Sequence, residues 1–175
     1  MQKSDIKIMP AYYERYVNLC DEVTVLEALI KNGPDLMLPF LSSLNAIGIK
    51  TYEPNKWTIH QILQHVIDTE RIFSYRALRF ARNDQTPLAG FDENTYSIES
   101  QASTRNLDEL ISEFEIVRRS NIALFKSFND TQLMASGVAN GNACSVLALG
   151  FMMAGHWLHH LKVIEERYLP LVEEQ

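Results

Sequence analysis

The chain has little of what several common protein classes need. Cysteine occurs twice in 175 residues, as Cys20 and Cys144. Two thiols in a chain long enough to bury a sizeable core do not make a disulfide framework, and they read as free thiols. No uninterrupted apolar run reaches the ~20 residues that span a bilayer, so no membrane partner is expected. The opening segment Met1-Gln2-Lys3-Ser4-Asp5-Ile6 lacks the apolar centre of a secretory signal, which makes a soluble cytoplasmic protein the expectation. Lysine and arginine number 16 against 22 aspartates and glutamates, for a formal net charge of −6. No basic block is present to track a phosphate backbone, which argues against nucleic acid as a partner. Strand-like alternation, internal repeats and low-complexity tracts are missing as well.

What is present is helical periodicity. With 46% hydrophobic and 22% charged residues, residues 1–175 are expected to form one domain. Residues 1–20, with Pro10, Tyr12, Tyr13 and Tyr16, read as an arm packed on it. Val25, Leu26, Leu29 and Ile30 recur at helical spacing until Gly33-Pro34 kinks or restarts the rod, after which Leu36, Met37, Phe40, Leu41 and Leu44 continue the apolar face. Residues 45–56 read as a connection. Thr58 with Gln61 forms a capping box, and Trp57 can staple onto Ile62. The helix that follows runs to about Arg82 and places Ile62, His65, Thr69, Ile72, Phe73, Arg76 and Phe80 on one stripe.

Residues 83–106 show neither helical nor strand periodicity. A connection this long either has a function of its own or carries the chain the full length of a bundle, which would make the second and third helices parallel. Asn106 with Glu109 opens a third helix ending near Asn129-Asp130. Ser145 caps a fourth that runs to about Tyr168, with Leu149, Met152, Met153, His156, His160, Val163 and Arg167 inward. The fold class read from this is all-α, four main helices in one bundle.

The chemistry-bearing stretch is Gly155-His156-Trp157-Leu158-His159-His160. On a helix, His156 and His160 lie on one face with Cβ atoms roughly 5–6 Å apart, near enough to share a metal ion. A firmly held ion with an open position needs about three protein ligands, and His65 on the second helix is the best third. Alone, an inward histidine is usually a satisfied core residue. Three together would each need their own partners, at roughly 1–3 kcal/mol for every buried nitrogen left without one, and a shared ion satisfies one nitrogen of each. His159 falls at the stripe's edge. His60, in the first turn, is expected to be exposed. Cys144 lies ~18 Å along the helix from His156, too far to share its ion. A zincin peptidase is excluded, because Trp157 stands where His-Glu-x-x-His needs its glutamate. Asp68, one turn beyond His65, can act on a metal-bound water or orient a ring, or simply pair with Arg71. Tyr75, Arg76 and Arg79 offer donors to an anionic substrate, or salt-bridge and snorkel.

These residues resemble the DinB-like family of metal-dependent hydrolases. The resemblance is carried by Lys56-Trp57-Thr58-Ile59, His65 with Asp68, Glu70 and Arg71, and Tyr75-Arg76-Ala77-Leu78-Arg79. It continues through Asp84, Pro87-Leu88 and Gly90-Phe91-Asp92 to Ala154-Gly155-His156 and His159-His160-Leu161. It implies an up-down-down-up bundle with a long crossover between helices 2 and 3, often homodimeric. It also implies a triad of His65, His156 and His160 around a divalent ion such as nickel or zinc. Trp157 departs from a pattern that has glutamate there in many relatives, and leaves the triad intact. The activity implied is hydrolysis, or S-transfer with a low-molecular-weight bacterial thiol as small-molecule partner. The alternatives are a non-catalytic metal- or ligand-binding stress-response protein and a purely structural bundle.

Overall fold

The computed structural model describes residues 1–173. Its first rod is segmented, as Gly33-Pro34 requires. Helix α2 (Val25–Lys31) begins with the Thr24 hydroxyl accepting from Glu27 N–H and the Glu27 carboxylate accepting from Thr24 N–H. A 3-10 stretch at Pro34–Phe40 follows, then α3 (Leu41–Ile47). Before this rod lies the arm, with α1 (Glu14–Val17).

The second rod is α4 (Ile59–Ala81), and its capping box is formed: Gln61 N–H donates to Thr58 Oγ1 at 3.2 Å, and Thr58 N–H donates to Gln61 Oε1 at 2.9 Å. The third is α6 (Leu107–Lys126), whose Asn106 cap accepts from Glu109 N–H at 2.8 Å. The fourth is α8 (Val146–Val163), capped by Ser145. Helix α4 packs against both α6 and α8, and α2 packs against the same two, so α2 and α4 hold opposite corners. The crossover ends beside the start of α4, with Ser103 and Thr58 hydroxyls 3.4 Å apart. Helix α6 therefore starts at the same end as α4 and runs parallel to it, which gives the up-down-down-up bundle.

Three local expectations are corrected. The crossover is not structureless, because Asp92 caps the short helix α5 (Glu93–Glu99) by accepting from Thr95 N–H at 2.7 Å. Seven residues burying one side chain, Ser97, leave no periodicity to detect. Beyond α7 (Asp130–Met134), where no strand was expected, lies an antiparallel hairpin of β1 (Ser136–Ala139) and β2 (Asn142–Ser145). Its turn is Asn140-Gly141, both at positive φ, the sequence that two-residue hairpin turns favour. The crossover is stitched to it where Leu88 N–H donates to Val138 and Asn140 N–H donates to the Leu88 carbonyl. Finally, Arg167 is exposed rather than inward. A π-helical turn at Ile164–Tyr168 adds a residue to the helical repeat, rotating Ile164 and Tyr168 into the core and Arg167 out of it.

The apolar core is in two parts. One gathers Phe73, Phe80, Phe125 and Phe151, and the other Ile67, Phe114, Trp157 and Tyr168. Between them, a layer of buried polar side chains crosses the bundle: Thr69 and Glu70 on α4, Arg118 and Asn121 on α6, His156 on α8.

Candidate metal centre

Helix α4 and helix α8 aim three imidazoles at one point in that layer. His65 Nε2 lies 3.0 Å from His156 Nε2, which lies 3.1 Å from His160 Nε2. One ligand nitrogen from each ring falls within 4.8 Å of the others. At metal–nitrogen bonds of about 2.0–2.1 Å, neighbouring donors stand roughly 3 Å apart, so the donor set has the spacing and chemistry to hold a divalent ion. Without one, the contacts are poor: two neutral rings facing each other through Nε2 can share a single proton, and His156 faces two such neighbours.

Burial keeps the rings neutral. The His65 imidazole is held down at about 4 by desolvation. Desolvation, reinforced by the neighbouring rings, takes His156 and His160 well below the ordinary histidine range. Neutral imidazole is the form that binds a metal.

The arm completes the surroundings, and Gly155 is why it can. A Cβ there would sit 2.1 Å from the Tyr16 carbonyl oxygen, so glycine lets α1 lie directly on α8 beside His156. The Tyr16 ring meets His156 edge-on at 5.3 Å and His159 at 5.1 Å, while Trp57 packs on His65 at 4.8 Å. A cavity of about 650 Å³ opens from the three imidazoles and is walled by Tyr13, Thr69, Phe73, Arg76, Met152 and Cys144, among others.

The other candidates fall in different places. His159 stays at the edge, against Tyr16. His60 is buried rather than exposed, with 7% of its surface accessible, because the first turn of α4 is covered. Cys144 is not among the clustered donors, but its thiol lines the same cavity, pushed up to about 12 by burial. Asp68 is not a cavity residue. It accepts from Gln64 Nε2 at 2.9 Å and lies 3.8 Å from Arg71, and burial pushes its carboxyl above the usual carboxylate range. Arg79 donates to both the Tyr75 hydroxyl and the Asp84 carboxylate on the outside of α4. Trp157 is fully buried facing away from the cavity, its indole N–H donating to the Gly33 carbonyl at 2.9 Å and its ring edge-on to Phe114. Position 157 therefore ties α8 to the break in the first rod. Sequence reasoning did not find Tyr16, Thr69 or Cys144 as walls of the cavity. Only Thr69 left a trace, through its place on the His65 stripe.

The family model for the DinB superfamily matches residues 16–164, which include all three histidines. The chain belongs to the DinB superfamily. A protein of Oceanobacillus iheyensis, provisionally named a metal-dependent hydrolase, is 27% identical over 118 residues, 66% of this chain and 67% of that one. YfiT from Bacillus subtilis, described as "a probable metal-dependent hydrolase with an unusual four-helix bundle topology", superposes with a TM-score of 0.70 at 15% identity, covering 94% of this chain and 90% of YfiT. That likeness shows the fold, and the DinB bundle is the scaffold on which the three imidazoles sit.

Proposed function

We propose that this DinB-superfamily chain, read as one domain over residues 1–175, is a metal-dependent enzyme acting on a small molecule. His65, His156 and His160 are the ligands of a divalent nickel or zinc ion. When bound, such an ion lowers the pKa of a coordinated water for hydrolysis, or of a coordinated thiol for attack on an electrophile. The observation that carries the reading is the convergence of three neutral imidazole nitrogens within 4.8 Å at the end of a cavity large enough for a substrate. The protein's own contribution is to fix those donors. Tyr16 and Trp57 pack against the rings, and Trp57 is itself held where the Tyr168 hydroxyl donates to its carbonyl. Asp68 lies outside the cavity and is given no part in the chemistry. A cytoplasmic location belongs to the same reading, as does a homodimer, which rests on the family resemblance.

Elemental analysis of freshly purified protein should find about one equivalent of nickel or zinc, and none in His160→Ala. Turnover of thiol conjugates or simple esters should follow the metal. Metal without turnover on either class would leave a binding protein in place of an enzyme, and no metal at all would leave a structural bundle.

A further inference from the structure

The end of the cavity away from the imidazoles holds a charge with nothing to balance it. Arg76 lies eleven residues beyond His65 on α4, on the order of 16 Å along the axis, and side chains on a helix lean back toward its N-terminus, which brings the guanidinium nearer the histidines. Only 5% of Arg76 is exposed. Among the described residues its one hydrogen bond runs from Nη2 to the Ala89 carbonyl at 3.0 Å, and no carboxylate lies within ion-pair distance. A guanidinium has five N–H donors, and burying one without a counter-charge is costly. Between Arg76 and the imidazoles, Thr69 also lines the cavity, 3% exposed, and its buried hydroxyl oxygen has no partner.

We propose that the cavity binds a small organic oxyanion, its carboxylate or phosphate seated on Arg76, its apolar body along Phe73 and Met152, and its far end presented to the three imidazoles past the Thr69 hydroxyl. A planar fork of unused donors is the arrangement that grips a carboxylate or phosphate through two parallel bonds. The protein supplies no anion of its own there: burial raises the Tyr13 phenol and lifts the Cys144 thiol to about 12, so both are neutral at pH 7. Glu93, at the cavity wall, is exposed and makes no ion pair with Arg76. The volume of about 650 Å³ suits a molecule long enough to reach from one end to the other. The proposal rests on the metal-dependent reading only for what happens at the imidazole end.

Titration calorimetry of the full chain with octanoate, hexyl phosphate and octanamide tests it. One or both anions should bind at least tenfold more tightly than the neutral amide, and the better of the two identifies the headgroup. Arg76→Met should lose that advantage, while Arg76→Lys should keep part of it. The amide binding as well as the anions, neither anion binding, or undiminished anion binding by Arg76→Met would overturn the proposal. Should Arg76→Met fail to fold, the wild-type preference and the Arg76→Lys variant still decide. Metal content measured on the same samples separates the two readings. A wild-type chain without metal that still prefers anions ends the enzymatic reading and leaves the anion site standing. A metal-loaded chain indifferent to charge does the reverse.

Discussion

Arg118 and Arg76 are both buried, both project from long helices into the bundle, and are treated in opposite ways. Arg118 is bonded through all three of its nitrogens. Its Nε meets both Glu70 oxygens at 3.0 and 3.2 Å, Nη2 pairs with Oε1, and Nη1 reaches the Leu29 and Asn32 carbonyls at the broken end of the first rod. Asn121 supplies a further donor to Glu70 at 2.8 Å. Arg76 has one carbonyl. The division runs along α4 itself: Thr69 and Glu70 are sequence neighbours turned about 100° apart, one unpartnered in the cavity and the other locked to Arg118 and Asn121 on α6. A buried polar group with all its partners specifies the packing of helices, while one that lines a cavity without them has hydrogen-bonding capacity free for a ligand. The largest test of this contrast removes one member of the closed side. Glu70→Gln strands the Arg118 charge in the core and should cost about 3–5 kcal/mol in urea unfolding. A loss below about 1 kcal/mol would mean that the pair does not hold the rods together.

The open side should instead gain stability from its ligand. With free metal at a hundred times its dissociation constant, the bound form is favoured by about 2.7 kcal/mol. Adding nickel or zinc to stripped protein should therefore raise the melting temperature, and His156→Ala should abolish the rise while Glu70→Gln, where it folds, retains it. An equal rise in His156→Ala would detach the effect from the imidazoles. Acid should act on the stripped protein in the other direction. The folded-state pKa values of these histidines are depressed, His65 to about 4, so below the ordinary value of about 6.5 the unfolded chain takes up protons that the folded chain refuses. Stability is full well above pH 6.5 and is lost as the pH falls toward 4, with His65 alone accounting for about 2 kcal/mol at pH 5. A flat urea midpoint between pH 7.5 and 5 would show that the rings are not desolvated as the structure has them.

The difference between the two sides also explains what the sequence reveals. The first rod was legible because its apolar spacing resumes after Gly33-Pro34, and the other three because each buries a stripe over about five turns or more and announces its start with Thr58, Asn106 or Ser145. The histidines were legible because two of them sit one turn apart on a single helix and the third shares its stripe with Thr69 and Arg76. Partners brought from distant segments were not. Glu70 and Arg118 are 48 residues apart, and nothing local marks either as buried. Short elements were hidden for a related reason: four-residue strands and a seven-residue helix hold only about two periods each, too few to stand out from the sequence around them. The Asn140-Gly141 turn was the one available sign of the hairpin. Arg167 was misplaced because a helix that widens for a single turn keeps its sequence pattern while losing its phase.

The smallest expected effect is the most telling for the contrast. Arg76→Met replaces a buried charge that the fold does not neutralise with an apolar side chain that can follow the same path past Phe73. Because no carboxylate is left behind, the variant pays no penalty of the kind Glu70→Gln incurs, and its stability should stay within about 1 kcal/mol of wild type or exceed it. Urea unfolding of the two variants side by side measures the asymmetry directly. Equal losses would mean that Arg76 is bonded in solution by protein groups, and the two buried arginines would then be alike. A loss confined to Glu70→Gln would mean that the bundle tolerates the Arg76 charge without depending on it, which is the property expected of a group kept for a ligand.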